Sequence, residues 1–193
     1  MHRSPADLSR LRDLLLAAHG EVREWIGDFP LNALADDPLD LLIGTVLSQA
    51  TNDRNSSRAY AGLRHSFPTW EDVLAAPEDE VARSIVAGGL NRQKARTIQA
   101  ILARLQREHG VLGLDFLRAQ SPEAVRAYLL SLPGVGPKTA ACVQLFALGQ
   151  SAFPVDTHIH RVAARLGLLP AKADPGQAQA LLEAVARPDD CLP

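Results

Sequence analysis

Apolar residues recur along this chain with helical spacing, and no stretch of alternating β-branched residues is long enough for a strand. Leu8, Leu11, Leu15 and Ala18 give one apolar face to a helix from about Ser4 to Gly20. Asp37 followed by Pro38 opens a second helix, which buries Leu41, Leu42, Val46 and Leu47 and ends near Ser48-Gln49. Asn52 or Asp53 caps a third, through Tyr60 and Leu63, that stops before Phe67-Pro68. Trp70, Val73 and Leu74 read as a short helix, and another runs from near Pro77 to Ile85-Val86. The glycine-rich stretch Gly88-Gly89-Leu90 leads into a long helix ending near His109-Gly110, and Asp115 to Ala119 adds a turn. A last helix spans Ala178 to Ala186, before a frayed end at 187–193. The pattern predicts an all-α chain.

One junction carries more information than helix spacing. Ser121 caps and Pro122 opens a helix with Val125, Leu129 and Leu132 on one face; Gly134-Val135-Gly136 reverses the chain; Pro137 opens the next helix, whose body Thr139 to Leu148 stops at Gly149. Both glycines are expected to permit a tight reversal at positive φ and to leave amides uncovered. This is a helix-hairpin-helix. Bare amides at a helix start favour an anion, and a DNA phosphate is the obvious one. Lys138 falls near the second position of the new helix, where the positive end of the dipole disfavours an ammonium. It reads either as a phosphate-contacting point charge or as an amine nucleophile.

Further on, Val155-Asp156-Thr157-His158 follows a chain break at Pro154. Asp156 can cap the helix that includes Val162 and Leu166 and stops at Gly167. If it also faces Lys138, the pair supplies a nucleophile and an anion able to stabilise positive charge on a sugar ring. His158 and His160 lack the further ligand-spaced residues of a metal site, which leaves His160 on the helix surface.

Leu47-Ser48-Gln49-Ala50-Thr51-Asn52, Leu132 to Ala140, and Val155-Asp156-Thr157-His158, in that order, resemble the endonuclease III group of helix-hairpin-helix DNA glycosylases over roughly residues 30 to 168. The resemblance implies a two-lobed fold. A helical barrel lobe would span 30–150 and contain the hairpin at 121–149, and the other lobe would combine 1–29 with 151–193. It also implies that Lys138 attacks C1′ of a damaged nucleoside with help from Asp156, and that β-elimination follows. The matching glutamine, Gln49, would enter the space left by a flipped-out base, and Leu90 would wedge the opposite strand. Gly134, Val135 and Gly136 would hold the DNA backbone. Double-stranded DNA with a damaged base or abasic site is then the expected partner, bound by a monomer, with oxidised pyrimidines as substrates. Other base preferences (oxidised purines or mismatches) and a non-catalytic DNA-binding module are the competing readings. Lys94 is a rival nucleophile, because Gly88-Gly89 followed by Lys94 loosely echoes the hairpin.

Composition changes this picture in three ways. A formal net charge of −2 and a sequence pI near 6.3 give no bulk attraction for nucleic acid, so affinity needs a local patch. Arg92, Lys94, Arg96, Arg104 and Arg107 are candidates. The chain has 2 cysteines, Cys142 in an apolar helical run and Cys191 in the final stretch. The resembled family usually ends in a C-x6-C-x2-C-x5-C loop around a [4Fe–4S] cluster, which needs four thiolates. The expectation is therefore no cofactor from this chain, either by nature or because a last helix and cluster loop lie beyond it. Finally, apolar runs too short to span a bilayer and the lack of a secretion signal make a cytoplasmic location the default.

Overall fold

The computed structural model describes residues 5–20, 34–170 and 172–186, and every regular element within them is helical. The helices are α1 (Pro5–His19), α2 (Pro38–Ser48), α3 (Asp53–Ser66), α4 (Trp70–Ala75), α5 (Glu78–Ser84), α6 (Asn91–His109), α7 (Pro122–Ser131), α8 (Pro137–Cys142), α9 (Thr157–Arg165) and α10 (Pro175–Val185). Tight 3₁₀ turns lie at Val86–Gly88 and Asp115–Ala119. Ser4 and the expected frayed end at 187–193 lie outside the described residues.

Side-chain chemistry sets most helix starts. Asp37 accepts the amides of Leu39 at 2.8 Å and Asp40 at 3.2 Å, and Asn52 rather than Asp53 caps α3 by accepting Asn55 N–H at 3.0 Å. Thr69 with Asp72, and Asp174 with Gln177, form reciprocal capping boxes. Gly20 and Gly110, both at positive φ, end α1 and α6.

Apolar side chains gather in two main places, and they give the fold its two lobes. The larger core joins α2 to α8, and α2 lies at its centre with Leu39, Leu41, Leu42, Ile43 and Leu47 fully buried. The sequence marked Leu41, Leu42, Val46 and Leu47 of this helix for burial; the structure buries Thr45 and Gly44 as well, so α2 is surrounded rather than laid on a surface. The smaller core takes Leu8 from α1 and Val155, Ala163, Leu169, Ala178 and Leu182 from α9, α10 and the segments beside them. A half-buried ion pair, Arg126 to Glu183 at 2.7 Å, ties α7 to α10, and Glu183 also accepts Phe153 N–H at 3.3 Å. No helix among the described residues is long and apolar enough to cross a membrane.

The structure departs from an unbroken helix after the hairpin. Beyond Cys142 the chain widens into a π turn, Val143–Ala147, where Leu148 N–H reaches Val143 O at 3.1 Å. Gln144 is buried at this turn, its side-chain amide donating to Pro122 O at 2.9 Å and its backbone carbonyl accepting the backbone N–H of Gln150 at 2.9 Å. A spacing of apolar residues does not reveal a one-residue insertion of this kind.

Candidate active site

The hairpin is assembled by two glycines that do different things. Gly134 has φ +71°, and a Cβ there would lie 2.6 Å from Thr97 Cγ2 on α6, so both backbone and packing require glycine. Gly136, expected at positive φ, instead has φ −99° and ψ 178°, extended backbone open to any residue, and a Cβ there would meet nothing within 4 Å. Among the described residues nothing requires that glycine; what it preserves is open space before the start of α8. Val135 contributes neither side chain nor amide to that space: its isopropyl group is buried in the larger core and its N–H bonds Leu132 O at 3.3 Å. Its part in the hairpin is to anchor the turn. Among the described residues the amides of Gly134 and Gly136 have no partner.

Lys138, one residue into α8, and Asp156 line a single cleft of ≈ 680 Å³, together with Thr45, Ser48, Gln49, Ser56 and His158. Asp156 is the N-cap of α9: Oδ1 accepts His158 N–H at 2.9 Å and Ile159 N–H at 2.7 Å. The capping role and the cleft-facing role thus coexist in one carboxylate. Ion pairs among the described residues all lie elsewhere, so Lys138 and Asp156 share the cleft without being spent on each other.

Cys142, which the sequence marked only as a buried thiol, stands one helical turn beyond Lys138. Burial pushes this thiol up, the charge of the Lys138 ammonium and a hydrogen bond with it pull the other way, and Asp156 adds a further upward push. The i, i+4 spacing from Lys138 was the available signal.

Gln49 caps the end of α2, and its Nε2 donates to Gly134 O at 3.2 Å, which joins the tip of the central helix to the hairpin. Leu90, at the start of α6, is 56% exposed with φ +48°, an apolar side chain held out on a loop. Lys94 is not in the cleft. It is buried, its Nζ donates to Leu47 O and Gly88 O, each at 2.8 Å, and burial pushes its ammonium down.

The basic patch marked in the sequence is also spent. Arg92 pairs with Asp79, Arg96 with Glu78, and Arg104 and Arg107 with Glu108. Opposite charges supplied by α5 and by α6 itself explain this, and charge spacing along one helix could not reveal the first two. His160 is half-buried rather than a surface residue, with Nε2 2.8 Å from Ala173 O.

The 2 cysteines of the chain are too few for the four thiolates of a [4Fe–4S] cluster. Cys142 is committed beside Lys138, Cys191 lies outside the described residues, and no group of three His, Cys, Asp or Glu among the described residues could hold a metal ion.

An all-helical, two-lobed molecule with a hairpin opening onto a cleft that holds a lysine and an aspartate has the architecture of the helix-hairpin-helix DNA glycosylases. A family model described as HhH-GPD superfamily base excision DNA repair protein matches residues 43–188, and the chain belongs to that superfamily. Among its relatives is a protein of Arabidopsis thaliana provisionally named a DNA glycosylase, 47% identical over 136 residues, which are 70% of this chain and 46% of that one. Endonuclease III of Thermotoga maritima is 37% identical over 145 residues, 75% of this chain and 64% of that enzyme. The chain therefore spans about half to two thirds of these relatives. A solved structure of a trapped endonuclease III–DNA covalent intermediate superposes with a TM-score of 0.78 at 28% identity, covering 98% of this chain and 81% of that one.

Proposed function

We propose that this protein is a bifunctional DNA glycosylase and abasic-site lyase of base excision repair, acting as a monomer on oxidised pyrimidines in duplex DNA. The observation that carries the reading is the cleft shared by Lys138 and Asp156, with the amides of Gly134 and Gly136, unpartnered among the described residues, just before Lys138 in the same hairpin. Those amides bind a phosphate of the damaged strand and bring the extruded nucleotide to Lys138. The Lys138 amine attacks C1′, and the glycosidic bond breaks with its electron pair and a proton going to the departing base. Asp156 stabilises the positive charge that develops on the sugar. The nitrogen lone pair of the resulting adduct then opens the sugar by breaking the C1′–O4′ bond, O4′ taking a proton, and the protonated imine so formed acidifies the C2′ proton, whose loss expels the 3′ phosphate by β-elimination. Gln49, at the tip of α2, fills the space vacated by the base, and the exposed Leu90 side chain enters the stack on the other strand; together they offset the few kcal/mol of lost stacking. A superposable endonuclease III captured covalently on DNA supports a nucleophilic mechanism.

Borohydride tests the chemistry directly, because it reduces an imine between lysine and opened deoxyribose to a stable amine. The wild type should be trapped on duplexes containing thymine glycol or an abasic site. Lys138→Gln should give no adduct while retaining duplex affinity, since the hairpin amides remain. Trapping that survives in Lys138→Gln moves the nucleophile elsewhere, and no trapping of the wild type defeats the lyase reading. Oxidised-purine and mismatch duplexes in the same panel decide the base preference.

A further inference from the structure

Among the described residues only two that are not glycine adopt positive φ: Ala50 at 53° and Leu90 at 48°. A left-handed conformation is strained for a residue with a side chain and persists only where the surroundings impose it. The two lie on separate loops. Ala50 follows Gln49 at the end of α2, and Leu90 precedes α6.

One side chain grips both loops. The ammonium of Lys94, a residue 3% exposed, donates to Leu47 O at 2.8 Å and to Gly88 O at 2.8 Å. Each carbonyl lies two residues before a tip: Leu47 before Gln49, and Gly88 before Leu90. Leu47 O belongs to the last turn of α2, where no helical donor follows and the negative end of the dipole favours a cation. Gly88 packs against the same contact, since a Cβ there would stand 3.7 Å from both Lys94 Nζ and Leu47 O. Among the described residues no carboxylate pairs with Lys94. Among the described residues two carbonyls alone hold this buried ammonium, a costly way to fill a core position, so its distinctive effect is to join those two carbonyls.

We propose that Lys94 is a positioning residue whose ammonium clamps the strained tips carrying Gln49 and Leu90 into one unit, so that both enter an opened duplex in register. This rests on the duplex-opening step of the proposed function, and the amine takes no part in the chemistry.

The test reads strand opening without chemistry. A duplex carrying tetrahydrofuran, an abasic analogue that cannot form an imine, is given 2-aminopurine on the opposite strand. Saturating wild-type protein should raise the emission severalfold as the reporter unstacks. Lys94→Met, of similar length but without donors, should saturate the same duplex and leave emission near that of free DNA; occupancy is complete in both cases, so weaker binding does not account for the difference. Once Leu90→Ala has removed the apolar tip, adding Lys94→Met should change emission no further, whereas a general loss of packing would add to it. Wild-type emission from folded Lys94→Met, an additive loss, or no rise with the wild type would each overturn the clamp. Should Lys94→Met not fold, Lys94→Gln, which retains a donor but is too short to reach both carbonyls, is held to the same outcomes. Failed borohydride trapping beside an intact emission response would remove the lyase reading and leave the clamp standing.

Discussion

Asp156 combines two demands in one side chain. Its Oδ1 is occupied by two backbone amides at the start of α9, while the residue lines the cleft with Lys138. Asparagine caps a helix about as well as aspartate but carries no charge. Asp156→Asn should therefore slow base release in single-turnover kinetics by about 10²–10⁴-fold, as loss of one positioned charge-stabilising group does. Its urea midpoint should stay near that of the wild type. A loss of activity matched by a large loss of stability would reduce Asp156 to a cap. Lys138 and Lys94 make the same point about context: both follow a glycine-rich turn, yet one lines an open cleft and the other is consumed by two backbone carbonyls.

The hairpin divides structural from ligand-facing demands between its glycines, and substitution can separate them. Gly134→Ala meets a positive φ and a contact with Thr97 Cγ2 that has to give way. It should destabilise the fold by about 1–2 kcal/mol in urea titration, the usual size of a left-handed penalty on a residue with a Cβ. Gly136→Val has room for its side chain and an extended backbone, and should cost about 1 kcal/mol at most as a poorer N-cap. It should nevertheless weaken binding to undamaged and abasic duplexes alike, measured by fluorescence anisotropy, because a phosphate contact carries no base information. Unchanged isotherms on both duplexes would confine the hairpin to a packing role.

For the molecule as a whole, the two cores differ in size, and stability should follow. The larger one encloses α2 on all sides, while the smaller rests on Leu8, Val155, Ala163, Leu169, Ala178 and Leu182. Few buried apolar contacts mean a low free energy of local opening. In native-state hydrogen exchange, amides of α10 should open far more readily than those of α2 and α7, with the Arg126–Glu183 pair the main polar restraint on α10. Equal protection in these helices would mean that the two cores unfold as one cooperative unit.

Helix positions, their caps and the identity of the hairpin are local properties, legible because 3.6-residue periodicity, Asp37, Ser121 and Asp156 at helix starts, and Gly134 all act within a few residues of chain. Lys138 and Asp156 were legible for a different reason, through three short stretches that resemble a known family in order and spacing. Whether a charge is free or paired depends on what another helix brings to it, and there the sequence was silent. Arg92 and Arg96 meet the acidic residues of α5, and Lys94 meets Leu47 O and Gly88 O. Likewise, Gly136 is distinguished from Gly134 by its extended backbone and the empty space beside it, and the π turn after Cys142 comes with Gln144 finding Pro122. These are contacts between distant segments, so only the packed tertiary structure could decide them.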